Sequence, residues 1–173
     1  RCFEDDNVIH VAGRVDPISD IEVIQTELCL ADLTAVEKGL HRVQKTARSG
    51  DKESIKLVAI LEKCQAALNE GKPVRTIEFS KEERPLLSQF FLITAKPAMF
   101  VANVAEDGFE NNPLLDKLKA YAAAQNAPVV AICAKLEAEM SEMSDEDRQM
   151  FLEELGQTEP GLNRLIRSAY SLL

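Results

Sequence analysis

Two short loops carry the residues of this chain best suited to chemistry. One reads Asn103-Val104-Ala105-Glu106 and the other Cys133-Ala134-Lys135. Between them they offer an amide, a carboxylate and an ammonium, the side chains that hold a polar ligand. Each loop follows a short apolar run that sits behind a proline. These runs are Ala98-Met99-Phe100-Val101-Ala102 after Pro97, and Val129-Val130-Ala131-Ile132 after Pro128. Such runs mark strands buried in a parallel sheet. Ligands of parallel α/β sheets sit beyond the carboxyl ends of the strands, so both loops are predicted to face one crevice. Other chemistries are poorly supplied. The two histidines, His10 and His41, do not furnish a His-based triad or a His-rich metal site. The cysteines, Cys2, Cys29, Cys64 and Cys133, form no CxxC pair and no zinc spacing. They read as reduced thiols of a cytosolic protein, with Cys133 a small buried residue at a strand end.

The elements that must position these loops can be read from the spacing. Between the two strands, 113–125 is helix-like, with Leu115, Leu118, Tyr121 and Ala122 on one face. Strand, helix and strand make a βαβ unit with a parallel sheet and a right-handed crossover. Two more helices are predicted over 145–155 and 162–172, separated by Pro160-Gly161. The charge run Glu137, Glu139, Glu142, Asp145, Glu146 and Asp147 reads as loop and helix N-terminus, without a metal. Upstream, 8–11 is a short β-prone run, and the residues around Asp16-Pro17 and Ser19-Asp20 supply capping chemistry for a long helix. Ile21, Ile24 and Leu28, then Leu33, Val36, Leu40, Val43 and Ala47, give that helix a narrow apolar seam suited to a two-helix coiled coil. Ser49-Gly50-Asp51 breaks it. A second seam follows with Leu57, Ile60, Cys64 and Ala67. A short link between two amphipathic helices predicts an antiparallel αα-hairpin. Gly71-Lys72-Pro73 ends the pair, 74–79 reads as extended, and Ser80 opens a further helix that tolerates Pro85 near its start.

Composition bounds what these parts can do. The chain has 173 residues, 46% of them apolar, and a net charge of -9. That is enough to bury a sizeable core, and too acidic for a non-specific nucleic-acid coat. No apolar run reaches the ~18 residues that span a bilayer. The chain opens on Arg1 without a start Met, so a fragment of a longer protein is expected.

The two loops resemble the base-reading half of a GTPase, which uses an Asn-Lys-x-Asp loop and a Ser-Ala-Lys loop after consecutive strands. Here Val104 replaces the Lys and Glu106 supplies the acid. That departure, with the inserted helical pair, makes the sequence similar to the YchF, or Obg-like ATPase, family. Supporting stretches are Arg1-Cys2-Phe3-Glu4-Asp5-Asp6, His10-Val11-Ala12-Gly13-Arg14-Val15-Asp16-Pro17, Asp20-Ile21-Glu22, Lys72-Pro73-Val74-Arg75 and Lys96-Pro97. The resemblance covers the whole chain.

It implies an α/β fold: the C-terminal part of a parallel-sheet P-loop G domain, interrupted by an antiparallel coiled-coil hairpin. The implied division is 1–19 and 93–173 for the G-domain parts and 20–92 for the inserted hairpin. It implies a cytoplasmic, ribosome-binding ATPase with ATP and Mg2+ as cofactors, no membrane or DNA partner, and a C-terminal TGS module beyond this chain. Asn103 would contact the base. Val104 would present its backbone, with its side chain packing on the adenine ring. Ala134 would offer an N–H, and Lys135 an aliphatic stem along the base. Glu106 would be either a base contact or a solvated carboxylate. No Gly-x4-Gly-Lys-Ser/Thr phosphate loop occurs in the sequence. The magnesium ligands and the group that orients the attacking water would lie upstream, so the fragment alone is expected to be inactive. His41, Arg42, Lys45, Arg48, Lys52 and Lys56 gather near the expected hairpin tip. Of these, Arg42, Lys45, Arg48 and Lys52 form either a ribosomal RNA contact or a solvated face. Two alternatives stay open: a ribosome-docking binding module with a non-catalytic nucleotide site, and a guanine-specific Obg-type GTPase.

Overall fold

The computed structural model describes residues 1–5 and 13–172, so the strand expected over 8–11 lies outside the described residues. The chain divides into two compact units. One comprises Ile21–Pro97; the other joins Arg1–Asp20 to Ala98–Leu173.

The Ile21–Pro97 unit is helical. Helix α1 spans Pro17–Ala47 and enters it from the preceding residues; α2 spans Lys52–Asn69. Asp16 caps α1, accepting the Ser19 N–H at 3.2 Å, with Pro17 in the first turn, where its missing N–H costs nothing. Gly50, at φ 89°, allows the turn between the helices. Asp51 then caps α2 by accepting the Ser54 N–H at 2.8 Å. Cys29, Val36, Leu40 and Val43 of α1 share one apolar core with Leu57, Ile60, Leu61, Cys64 and Leu68 of α2. Gln25 Nε2 donates to the Gly71 carbonyl at 3.4 Å, so the third turn of α1 lies beside the end of α2.

The apolar seam departs from expectation at its start. Ile24 is 60% exposed, and Cys29 and Asp32 are buried instead. The cause is length. With 31 residues against 18, α1 runs past the end of α2, and its first turns have no facing seam in α2.

The segment after Gly71 is not extended throughout, as 74–79 was predicted to be. Val74–Thr76 forms a 3-10 turn, closed by Thr76 Oγ1 on the Pro73 carbonyl at 2.7 Å. Helix α3, Glu83–Ser88, opens with a reciprocal cap. The Ser80 N–H donates to Glu83 Oε2 at 2.8 Å, and the Glu83 N–H donates to Ser80 Oγ at 3.2 Å. A second 3-10 turn, Ile93–Ala95, is gripped by Asp32, which is 3% exposed. Its carboxylate accepts the Ile93 N–H at 2.9 Å, the Thr94 N–H at 2.7 Å and the Thr94 hydroxyl at 2.6 Å. Thr94 Oγ1 in turn accepts the Val74 N–H at 3.1 Å. A buried carboxylate is tolerated because each donor it faces is satisfied. Gly39 of α1 is required by a close approach: a Cβ there would lie 2.7 Å from the Phe90 ring.

Among the described residues, the other unit holds a two-stranded parallel sheet. Strands β1 (Phe100–Asn103) and β2 (Val129–Ile132) pair in register, Phe100 with Val129 and Asn103 with Ile132. Helix α4, Pro113–Ala124, makes the crossover, capped by Asn112 and packing Leu115, Leu118 and Ala122 inward. Helices α5 (Ala134–Ser141), α6 (Asp145–Glu154) and α7 (Gly161–Leu172) follow. Helices α6 and α7 match expectation, whereas α5 occupies a stretch expected as loop. Cys133 is the last extended residue, at φ -108°, and a run of good helix formers begins at once behind it.

Candidate functional site

The two loops singled out by sequence meet at the carboxyl ends of β1 and β2. Because Asn103 is in register with Ile132, the residues that follow each strand start as neighbours. The Val104 N–H extends the ladder one step, donating to the Ile132 carbonyl at 2.8 Å. The Asn103 side chain then reaches across. Its Oδ1 accepts the Ala134 N–H at 3.0 Å, which ties the end of β1 to the first residue of α5. The Asn103 NH2 makes no protein hydrogen bond among the described residues, and it remains a donor.

Beyond Asn103 the chain turns sharply. The Gly108 N–H donates to the Ala105 carbonyl at 2.9 Å. A Cβ on Gly108 would lie 3.0 Å from the Ala105 nitrogen, so glycine is what lets the turn close this tightly. Asn112 braces it, donating to the carbonyls of Cys2 and Gly108, each at 2.9 Å. The same Asn112 caps α4 through the Leu114 and Leu115 N–H groups. The Cys2 N–H bonds the Asn103 carbonyl at 2.8 Å. This turn presents Glu106 toward α5, where Lys135 Nζ meets Glu106 Oε1 at 2.5 Å. The Glu106 hydrogen bond and charge, with a smaller contribution from Glu139, raise the Lys135 pKa and hold it as an ammonium.

The geometry bears on two of the expected roles. The Val104 side chain is 1% exposed and packs inside the unit, so it is not offered to a ring lying in the crevice. The reason is the strand's alternation, which turns Ala102 and Val104 to the interior. The Ala134 N–H is already taken by Asn103, and it is not a free donor. The next two N–H groups of α5, those of Lys135 and Leu136, precede the first helical bond, from the Glu137 N–H to the Cys133 carbonyl. They are available from the helix itself.

Glu137, which the sequence places in a charge run of loop and helix N-terminus, has a structural partner. Its carboxylate accepts the Gly161 N–H at 2.7 Å and the Leu162 N–H at 3.2 Å, capping α7. Arg164 of α7 donates to the Ala131 carbonyl of β2 at 3.2 Å and to Gln157 at 2.7 Å. No local pattern marks these supports, which join residues 24 and 33 positions apart. Asn112-Pro113 is the exception, since Asn before Pro at a helix start is a readable cap.

The arrangement suits recognition of the edge of a flat, polar heterocycle. It offers the Asn103 NH2, the Lys135 N–H at the start of α5 and an exposed carboxylate–ammonium pair. A cavity between Glu106, Leu136, Met140, Leu152 and Arg164 measures about 40 Å³, too small for such a ligand. The described residues contain no group of three or more His, Cys, Asp or Glu that could hold a metal, so none of them is assigned to magnesium. None of their helices is long and apolar enough to cross a membrane. In the helical unit, Arg42, Lys45, Arg48 and Lys52 are all exposed around the turn between α1 and α2. The Arg42 guanidinium lies 6.0 Å over the Phe90 ring.

No family model matches the chain. Individual proteins do. It is 51% identical over 173 residues to the ribosome-binding ATPase YchF of Escherichia coli, and 48% identical over 176 residues to that of Bacillus subtilis. The match takes in 100% of this chain and 48% of each relative, so the chain spans about half their length. Among solved structures, the YchF GTPase of Schizosaccharomyces pombe superposes with a TM-score of 0.86 at 28% identity. That superposition covers 99% of this chain and 48% of that one.

Proposed function

We propose that this chain, which belongs to the YchF family, is part of a ribosome-associated ATPase that binds and hydrolyses ATP in preference to GTP. The observation that carries the reading is the meeting of the Asn103 and Ala134 loops at the strand ends. Asn103 keeps its NH2 as a donor to a purine ring nitrogen and uses its oxygen to lock the second loop. The ATP preference rests on Asn103-Val104-Ala105-Glu106 standing where a guanine-reading loop has Asn-Lys-x-Asp.

In this reading Asn103, Glu106 and Lys135 contact or flank the base, while Val104 and Ala134 act through packing and backbone. The unit carrying β1 and β2 is the base-recognition part of a P-loop G domain, with 1–19 and 93–173 contributed by this chain. The stretch 20–92 is an inserted coiled-coil hairpin. Arg42, Lys45, Arg48 and Lys52 at its tip contact ribosomal RNA, in the cytoplasm. The phosphate cradle and the Mg2+ ligands belong to sequence outside this chain, so the chain alone does not turn over ATP.

The guanine alternative has one observation in its favour: the solved neighbour is described as a GTPase. Competition binding of ATP and GTP to the full-length protein separates the two. Tighter ATP binding, weakened by Asn103→Ala, is expected. Tighter GTP binding overturns the reading.

A further inference from the structure

We infer that Lys135 is a specificity-determining residue of this site, because by pairing with Glu106 it withholds the acceptor that a guanine edge needs. The inference rests on the reading of Asn103 and Glu106 as a base-recognition pair, and it adds a mechanism for the choice between bases.

The pair is built by the fold. Glu106 is presented by a turn that Gly108 closes and Asn112 braces. Lys135 is the second residue of α5, whose first N–H is fastened to Asn103. Both side chains therefore spring from backbone anchored to strand ends that are in register. Their contact at 2.5 Å is at the surface, with Lys135 69% and Glu106 51% exposed. No packing traps it, so an incoming ligand can compete for it.

Guanine presents an N1–H and an exocyclic N2–H2 side by side. A free carboxylate accepts both, and charge makes those bonds strong. A carboxylate already holding an ammonium has given up a lone pair and its net charge. Guanine must displace Lys135 to use it, and adenine has no such pair of donors to satisfy. The ion pair thus costs guanine affinity and leaves adenine nearly indifferent. An exposed ion pair contributes little, so the expected effect is small, about threefold in relative affinity. It should also be screened by salt. The raised Lys135 pKa agrees, since the ammonium stays charged throughout the physiological range.

The test uses the full-length protein and its Kd values for ATP and GTP. Lys135→Met keeps the stem and removes the charge. The ratio of the GTP Kd to the ATP Kd should fall about threefold at low salt. In the wild type the same ratio should drift downward between about 0.05 and about 0.5 M salt, while in Lys135→Met it should stay flat. Adding Glu106→Gln to Lys135→Met should cancel the gain for GTP. An unmoved ratio, or a gain that persists without the Glu106 carboxylate, overturns the inference. Asn103→Ala separates this failure from a deeper one. If neither nucleotide responds to Asn103→Ala, the base is bound elsewhere, and both the site reading and the inference fall. If both respond and Lys135→Met leaves the ratio alone, only the inference falls.

Discussion

In the helical unit the decisive polar group is hidden. Asp32 is 3% exposed and spends its oxygens on Ile93 and Thr94. In the sheet unit the polar groups of interest lie on the rim: Glu106 and Lys135 are half or more exposed and hold each other. A carboxylate surrounded by donors in a dry core maintains shape, and its loss leaves those donors unsatisfied. A carboxylate paired at the surface maintains almost no shape and is free to choose a ligand. The same side-chain chemistry thus serves architecture in one unit and selection in the other. The helical unit should be sensitive in its seam and tolerant on its faces. The sheet unit should show small, ligand-specific effects at its rim.

The largest effect is expected from the seam. Leu61 is fully buried between α1 and α2. Leu61→Ala should cost about 3 kcal/mol, as a large-to-small change in a closed core does. Urea unfolding followed by circular dichroism measures it, and the ATP Kd of the native variant should match the wild type. A loss of nucleotide affinity in step with stability would erase the contrast drawn above.

The next effect is expected from the exposed turn of the helical unit. Replacing Arg42, Lys45, Arg48 and Lys52 with Glu should weaken ribosome co-sedimentation at low salt by about tenfold or more, and should flatten its salt dependence. Stability should change little, because all four are exposed and the seam is untouched. Undiminished co-sedimentation would make these residues a solvated face, leaving the helical unit with shape but no contact of its own.

The effect confined to the narrowest range of conditions is a pH slope. Burial, aided by Asp32, pushes the Cys64 thiol up from an ordinary 9.0 to about 11. Between these values the unfolded chain has lost this proton and the folded chain keeps it. The unfolded state then binds fewer protons, so stability falls as pH rises from 9 toward 11 and is undiminished below 9. Urea midpoints across that range should show the decline, and Cys64→Ala should remove this contribution. An identical slope in the variant would place its origin elsewhere.

Legibility in the sequence follows the range of the interactions. Helix α2 and the break at Gly50-Asp51 were readable because spacing, glycine and cap are all local. So was the βαβ order, from two apolar runs with a capped helix between them. The start of the α1 seam was misread because its periodicity does not reveal that the facing helix is shorter. The turn at Val74–Thr76 is not legible, since a 3-10 turn leaves little pattern in three residues. Helix α5 does not stand out in the sequence, because it is only eight residues long and Cys133 gives it no side-chain cap. At the site, the neighbourhood of Asn103 and Ala134 was legible from topology. The commitment of the Ala134 N–H, the burial of Val104 and the Glu106–Lys135 contact depend on side-chain geometry that no spacing encodes.

One bond bears on how the chain acquires this structure. The Cys2 N–H meets the Asn103 carbonyl, so the beginning of the sheet unit must find a strand that follows the whole of the helical unit. Were Ile21–Pro97 a floppy loop, closing it would carry an entropy penalty that grows with the logarithm of its length. Folded into helices, with Asp32 bonded to Thr94, that stretch brings the chain near its two ends together, and the penalty is smaller.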